Sequence, residues 1–140
     1  MSDDRTLLAA AGALRSRAYA PYSQFTVGAA LLDIDGRVWS GANVENASYG
    51  LSMCAERGAL FHAVAEGVRA FAAIAVAGPS GVTALPCGAC RQVLWEFAPG
   101  MRVISAGASG PVSIALADLL PAAFGPEQLR AAAASGEERR

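Results

Sequence analysis

Seven consecutive residues, Phe71-Ala-Ala-Ile-Ala-Val-Ala77, carry no polar side chain. A strand with one face in water alternates apolar and polar residues, so an unbroken apolar run needs cover on both faces. Helices are the usual cover, and the flanking sequence supplies them. Leu7, Leu8, Ala11, Leu14, Ala18 and Tyr19 recur at helical steps, predicting an amphipathic helix over residues 4–19 capped by Ser2 or Asp3. Ala20-Pro21-Tyr22-Ser23 breaks that pattern. Phe25 to Leu32 reads as a strand, Asp35-Gly36 as a hairpin turn and Arg37 to Glu45 as the antiparallel return. After a loop from Asn46 to Leu51, Cys54, Leu60, Phe61, Val64 and Ala65 predict a helix from about Met53, stopped by Gly67. A second helix is expected over Cys87 to Phe97, ended by Pro99-Gly100. Short strands follow at Met101–Ser105 and Pro111–Ala115, then helices at Leu116–Leu120 and Pro126–Ala134. This order predicts one α/β domain over 1–140, with helices packed on a mixed sheet.

Composition narrows the class of partner. The chain is 54% hydrophobic and 16% charged, with a formal net charge of −1. A nucleic-acid binder needs a basic face to displace phosphate counterions, and the one tight basic cluster, Arg139-Arg140, directly follows Glu137-Glu138. Nucleic acid is therefore not expected as a partner. No run of 18 apolar residues lacks a charge or turn breaker, so no membrane span is expected either. The acidic start, Met1-Ser-Asp-Asp-Arg5, is unlike a secretory signal, and a cytoplasmic location is expected. Cysteines number 3, an odd count that favours metal or redox chemistry over a disulfide framework.

Cys87-Gly-Ala-Cys90 opens one predicted helix and Cys54 opens another. Helix N-termini carry unpaired N–H groups and partial positive charge, which favour thiolate. Three thiolates from two such termini would make a compact Zn²⁺ site. The single histidine, His62, lies eight residues past Cys54 on the same predicted helix, about 12 Å along its axis, too far to share the ion. Three protein ligands leave a position open, the mark of a catalytic rather than a structural zinc. Glu56, in the first turn after Cys54, suits the helix dipole in any case; beside an open zinc its carboxylate could also carry protons.

Cys54-Ala-Glu56 followed by Pro86-Cys-Gly-Ala-Cys90 resembles the three-cysteine form of the zinc deaminase signature. Tyr19-Ala-Pro-Tyr-Ser-Gln-Phe25, Val27-Gly-Ala-Ala30, Gly41-Ala-Asn-Val-Glu-Asn46, Cys87-Gly-Ala-Cys-Arg-Gln92 and Leu119-Leu-Pro-Ala-Ala-Phe124 are similar to the small homotetrameric cytidine deaminases, in the same order. The resemblance runs from about Tyr19 to Leu129. It implies a three-layer α/β/α fold with a mixed five-stranded sheet, and one zinc per chain held by Cys54, Cys87 and Cys90. It implies hydrolysis of cytidine and deoxycytidine, zinc-activated hydroxide attacking C4 while Glu56 protonates N3 and then the leaving amine.

By the same resemblance Asn43 and Glu45 bind the ribose, Phe25 packs against the nucleoside and the Ala55 N–H meets the pyrimidine O2. Arg57 offsets the negative charge of three thiolates on zinc, with Arg91 a second candidate for that role. Phe124 would close a neighbouring subunit's pocket in a homotetramer. Asn43 and Glu45, two apart on the predicted strand, would share a face. Ala42 stands where many relatives have cysteine, and Gly58, in a helix interior, suggests close packing there. Three other readings compete. One is deamination of a nucleoside antibiotic such as blasticidin S, which the Asn43–Glu45 pair disfavours. A thiol-redox protein would leave Cys54 and Glu56 unexplained, and a non-catalytic zinc scaffold should have four protein ligands.

Overall fold

The computed structural model describes residues 3–136. One sheet contains five strands: β1 (Gly28–Asp33), β2 (Val38–Ala42), β3 (Phe71–Ala77), β4 (Arg102–Gly107) and β5 (Gly110–Ala115), in spatial order β2-β1-β3-β4-β5. Only β3 and β4 pair in parallel; the other neighbours are antiparallel. The apolar run is the middle strand, as its composition requires. Ile74 and Val76 join Ala29, Leu31 and Val103 on one face, under helices α2 (Ala55–Ala65), α3 (Gly88–Phe97) and the short α4 (Leu116–Leu119). Ala73, Ala75 and Ala77 join Ala30, Leu32 and Ile104 on the other, under Leu7 and Ala11 of α1 (Asp4–Ala13). The fold is thus the expected three-layer α/β/α arrangement, with α5 (Pro126–Ser135) following at its C-terminal side. No helix among the described residues is long and apolar enough to cross a membrane.

Several boundaries move for identifiable reasons. Asp3 caps α1, its carboxylate accepting from the Thr6 N–H at 2.7 Å; Ser2 lies outside the described residues, as do Glu137-Glu138 and Arg139-Arg140. The first helix stops at Ala13, tightens into a 3₁₀ turn over Leu14–Arg17 and does not reach Tyr19. Tyr19 is instead bridged to Val44, donating to Asn43 O and accepting from the Glu45 N–H, which demands extended backbone. Strand β2 ends at Ala42, so Asn43 and Glu45 lie beyond it. Val44 is nevertheless held extended by bridges to Tyr19 and Met53, and its two neighbours both face one cavity.

Close approach of layers falls at Gly28 and Gly41. A Cβ on Gly28 would sit 1.9 Å from Ala11 O of α1, and one on Gly41 would sit 2.2 Å from Ala55 O and 2.5 Å from Ala59 N of α2. Gly58, by contrast, has room: its Cβ would meet nothing nearer than 3.8 Å. Close packing of β2 on α2 therefore depends on the strand glycine, not the helical one. Gly41→Ala must push α2 off the sheet and is expected to destabilise the chain by about 4 kcal/mol or more, whereas Gly58→Ala removes a helix-interior glycine and should cost nothing in this fold. Urea unfolding of the two variants tests the contrast.

The β1–β2 hairpin is fastened by Asp33, a fully buried carboxylate. It accepts from the Asp35 and Arg37 N–H groups, from Arg37 Nε at 3.2 Å and from Trp39 Nε1 at 3.0 Å. Burial pushes its carboxyl up, but Trp39 and the backbone donors together outweigh burial and leave it below the ordinary 3.8. A depressed folded value means that its stabilisation is complete above 3.8 and fades as pH falls through the folded value. Asp33→Asn should therefore lower the melting temperature at pH 7 and flatten the acid limb of stability below pH 4, as thermal melts across pH would show.

Candidate active site

Cys54 and Cys87 are the N-cap residues of α2 and α3, and neither helix has a side-chain cap. The sulfurs occupy the place where a hydroxyl or carboxylate commonly sits, so the partial positive charge of two helix ends converges on them. Cys90, one turn into α3, is fully buried and completes the group. Cys54 Sγ lies 3.7 Å from Cys87 Sγ, and Cys87 Sγ lies 3.5 Å from Cys90 Sγ. Zinc–sulfur bonds of about 2.3 Å at tetrahedral angles separate sulfurs by about 3.8 Å, so the cluster fits one such ion. Among the described residues no fourth histidine, cysteine or carboxylate joins the three.

The thiols are unequal. A hydrogen bond with Cys90 lowers the Cys54 thiol to about 5 against the effect of burial, with Arg57 and Cys87 adding to the shift. Cys90 is pushed up by that same partnership, by burial and by the Glu56 carboxylate. Arg57 Nη2 donates to Cys54 Sγ at 3.4 Å and supplies positive charge beside the sulfurs. Arg91 does not face them: its Nε donates to Pro86 O at 2.7 Å and its Nη1 to Leu119 O at 2.9 Å, tying the α3 approach loop to α4. His62 is exposed and meets the edge of Trp39, with ring centroids 5.2 Å apart.

Glu56 is only 4% exposed, and its Oε2 accepts from Cys90 Sγ at 3.2 Å. Burial raises its carboxyl above the ordinary carboxylate range. Beside it opens a cavity of about 510 Å³ lined by Cys54, Cys87, Glu56, Ala55, Phe25, Asn43 and Glu45, with Val82 to Leu85 as a further wall. Ala55 is the first helical residue, a position whose N–H has no intrahelical partner. Asn43 grips the Phe25 segment, its Oδ1 accepting from the Val27 N–H at 2.8 Å and its Nδ2 donating to Phe25 O at 2.9 Å. Glu45 accepts at Oε1 from the Tyr22 and Ser23 N–H groups and at Oε2 from the Ser23 hydroxyl. Phe124 does not line this cavity and is 57% exposed.

Three residues that shape the cavity were given no role by the sequence. Ser105, fully buried on β4, donates to Ala84 O at 2.6 Å, and Thr83 Oγ1 donates to Ala106 O at 2.7 Å. Together they clasp the Val82–Leu85 wall to the sheet. Ser23 lies in a chain break and within the Tyr19–Phe25 stretch that resembles the family, but neither assigns its side chain a role. A lone serine gives no periodic or spacing signal, because its partner is remote in sequence.

A mixed sheet covered on both faces, with two helix starts converging on an open three-cysteine site, defines a zinc hydrolase of the deaminase type. The family described as the cytidine and deoxycytidylate deaminase zinc-binding region matches residues 1–106, and the chain belongs to that family. The cytidine deaminase of Sporosarcina psychrophila is 47% identical over 133 residues, covering 94% of this chain and 98% of its own length. That of Halalkalibacterium halodurans is 49% identical over 129 residues, covering 91% and 98%. The crystal structure of cytidine deaminase from Burkholderia pseudomallei is 52% identical and superposes with a TM-score of 0.82 over 89% of this chain and 100% of that one. The three-cysteine cluster is accordingly the site of one zinc ion per chain.

Proposed function

We propose that this chain is a single cytidine deaminase-like domain over 1–140, hydrolysing cytidine and deoxycytidine to uridine and deoxyuridine with release of ammonia. The observation that carries the reading is a buried carboxylate, Glu56, between an open three-sulfur site and a nucleoside-sized cavity. Cys54, Cys87 and Cys90 hold the zinc, which when bound makes water nucleophilic near neutral pH. Glu56 moves the protons. Its carboxylate takes one from water and delivers it to N3, which makes C4 electrophilic as the C–O bond forms. It then takes the proton of the new C4 hydroxyl and delivers it to the amino nitrogen, so that the C–N bond breaks, ammonia leaves and the C4 carbonyl remains. Ala55 N–H binds the pyrimidine O2, Phe25 packs against the nucleoside and Arg57 tempers the charge of the thiolates.

Hydrogen-bond capacity supports the choice of substrate. An ionised carboxylate has about four acceptor positions, and Glu45 has three filled within the chain. Asn43 has one N–H and one acceptor position engaged. One sugar hydroxyl, donating to Glu45 and accepting from Asn43, takes the last carboxylate position and the last Asn43 N–H, so the grip does not need a second. Ribo- and deoxyribonucleosides should therefore react with kcat/KM within about tenfold of each other. None of the described residues lining this cavity is cationic, which suits a neutral nucleoside. A blasticidin-type substrate would leave this sugar grip unused. Ultraviolet monitoring of cytidine conversion to uridine, with cytosine and blasticidin S as comparators, tests the assignment; no turnover of cytidine by the zinc-loaded protein would sink it.

The assembly we propose is a homotetramer with pockets shared between subunits. Phe124 supports it: the side chain is exposed, follows a residue in left-handed conformation (Ala122, φ 51°) by two positions and has its carbonyl pinned by Gln92 Nε2 at 2.8 Å. Phe124→Ala should raise the cytidine KM about tenfold with zinc retained, and dilution to monomers should cost activity. Sedimentation and kinetics on one sample check both; a fully active monomer counts against the shared pocket. A cytoplasmic location belongs to the same reading, since the cluster works only as three unpaired thiols and a reducing compartment keeps them so.

A further inference from the structure

One hydroxyl joins the turn that carries Phe25 to Glu45. Ser23 Oγ donates its single proton to Glu45 Oε2 and accepts from the Phe25 N–H at 3.0 Å. Its own N–H reaches Glu45 Oε1 at 3.1 Å, so Ser23 engages both carboxylate oxygens. Between the two, Gln24 adopts a left-handed backbone (φ 57°), a conformation that side-chain-bearing residues avoid unless their neighbours enforce it. Asn43 completes the enforcement from the other side through Phe25 O and the Val27 N–H.

We propose that Ser23 is a positioning residue for the nucleoside, fixing through one hydroxyl both the carboxylate that meets the sugar and the backbone that carries the aromatic wall. The inference rests on the ribose-binding reading of Glu45. Ser23 lines the cavity, but its only proton is committed to Glu45, so its effect on substrate passes through that residue and Phe25. The Tyr22 and Ser23 N–H groups take two acceptor positions on Oε1 of Glu45 and the Ser23 hydroxyl takes one on Oε2, which leaves the last aimed by exclusion. The same contacts hold the Glu45 carboxyl below the ordinary carboxylate range, the Ser23 hydroxyl contributing most. It therefore meets the sugar as an ionised acceptor.

A double-mutant cycle on the zinc-loaded enzyme separates this role from a merely structural one. Ser23 is exposed in a turn, so Ser23→Ala is expected to keep the zinc content and to shift the melting temperature by no more than about 2 °C. Loss of a charge-assisted hydrogen bond should lower kcat/KM for cytidine about tenfold. In a Glu45→Ala background the same substitution should cost clearly less than tenfold, because only its hold on the Phe25 backbone remains to be lost. Wild-type kcat/KM in Ser23→Ala, or the full tenfold loss repeated in the Glu45→Ala background, overturns the proposal while leaving the ribose reading intact. Wild-type kcat/KM in Glu45→Ala overturns the ribose reading and this proposal with it.

Discussion

Glu56→Gln is expected to lose at least about a hundredfold in kcat while keeping fold and zinc. Gln matches Glu in size and can still accept at one oxygen, so the packing of a side chain that is 4% exposed survives. What disappears is the capacity to take a proton from water and return it. On the proposed mechanism two transfers depend on that capacity, one to N3 and one to the amino nitrogen, and the described cavity lining offers no other free carrier: the sulfurs are the proposed zinc ligands and Glu45 is turned to the Tyr22–Ser23 backbone. Steady-state kinetics with elemental analysis on the same preparation provides the check. Near-normal turnover with full zinc would show that a different group moves the protons.

Loss of one sulfur should be as severe by a different route. Cys87→Ser replaces an exposed N-cap thiol with a residue that caps helices better. Any loss is therefore chargeable to the metal rather than to α3. Two remaining thiolates hold zinc far more weakly than three, and metal-binding free energy is also folding free energy in such a site. Zinc content is expected to fall below about a tenth per chain, activity at least about a hundredfold, and the melting temperature about 10 °C. Retention of full zinc in Cys87→Ser, or a Cys87–Cys90 disulfide in active enzyme, would falsify the three-sulfur site.

Much of this was legible in the chain itself, for physical reasons. Periodicity exposes any element whose burial is one-sided or complete, which is why the Phe71–Ala77 strand and the two cysteine-headed helices appear in the sequence close to their observed limits. The hairpin is shorter than expected, β1 starting at Gly28 rather than Phe25 and β2 ending at Ala42 rather than Glu45. The cysteines and Glu56 are readable together because helix geometry turns short spacings, 54 to 56 and 87 to 90, into fixed relative positions. That the two pairs meet depends on tertiary packing, and here it was the motif's resemblance, not spacing, that implied it.

Residues whose partners are remote in sequence left no such trace. Local periodicity carried the first helix on to Tyr19, but a bridge to Val44 draws that residue into extended backbone. Gly58 looked like the point of close packing because it interrupts a helix, whereas the crowded glycine is Gly41, whose neighbours belong to another element. Asn43 and Glu45 share a face although the strand ends before them, because two isolated bridges hold Val44 extended. Asp33, Ser105, Thr83 and Ser23 are single polar residues that matter only through what the fold brings to them. Sequence alone thus determined the elements, the layers and the chemistry of the metal ligands, which follow from local periodicity and residue type. The tertiary structure alone decided which polar side chains hold one another around the cavity, because a hydrogen bond across 22 residues of chain, such as Ser23 to Glu45, depends on where folding places its two ends.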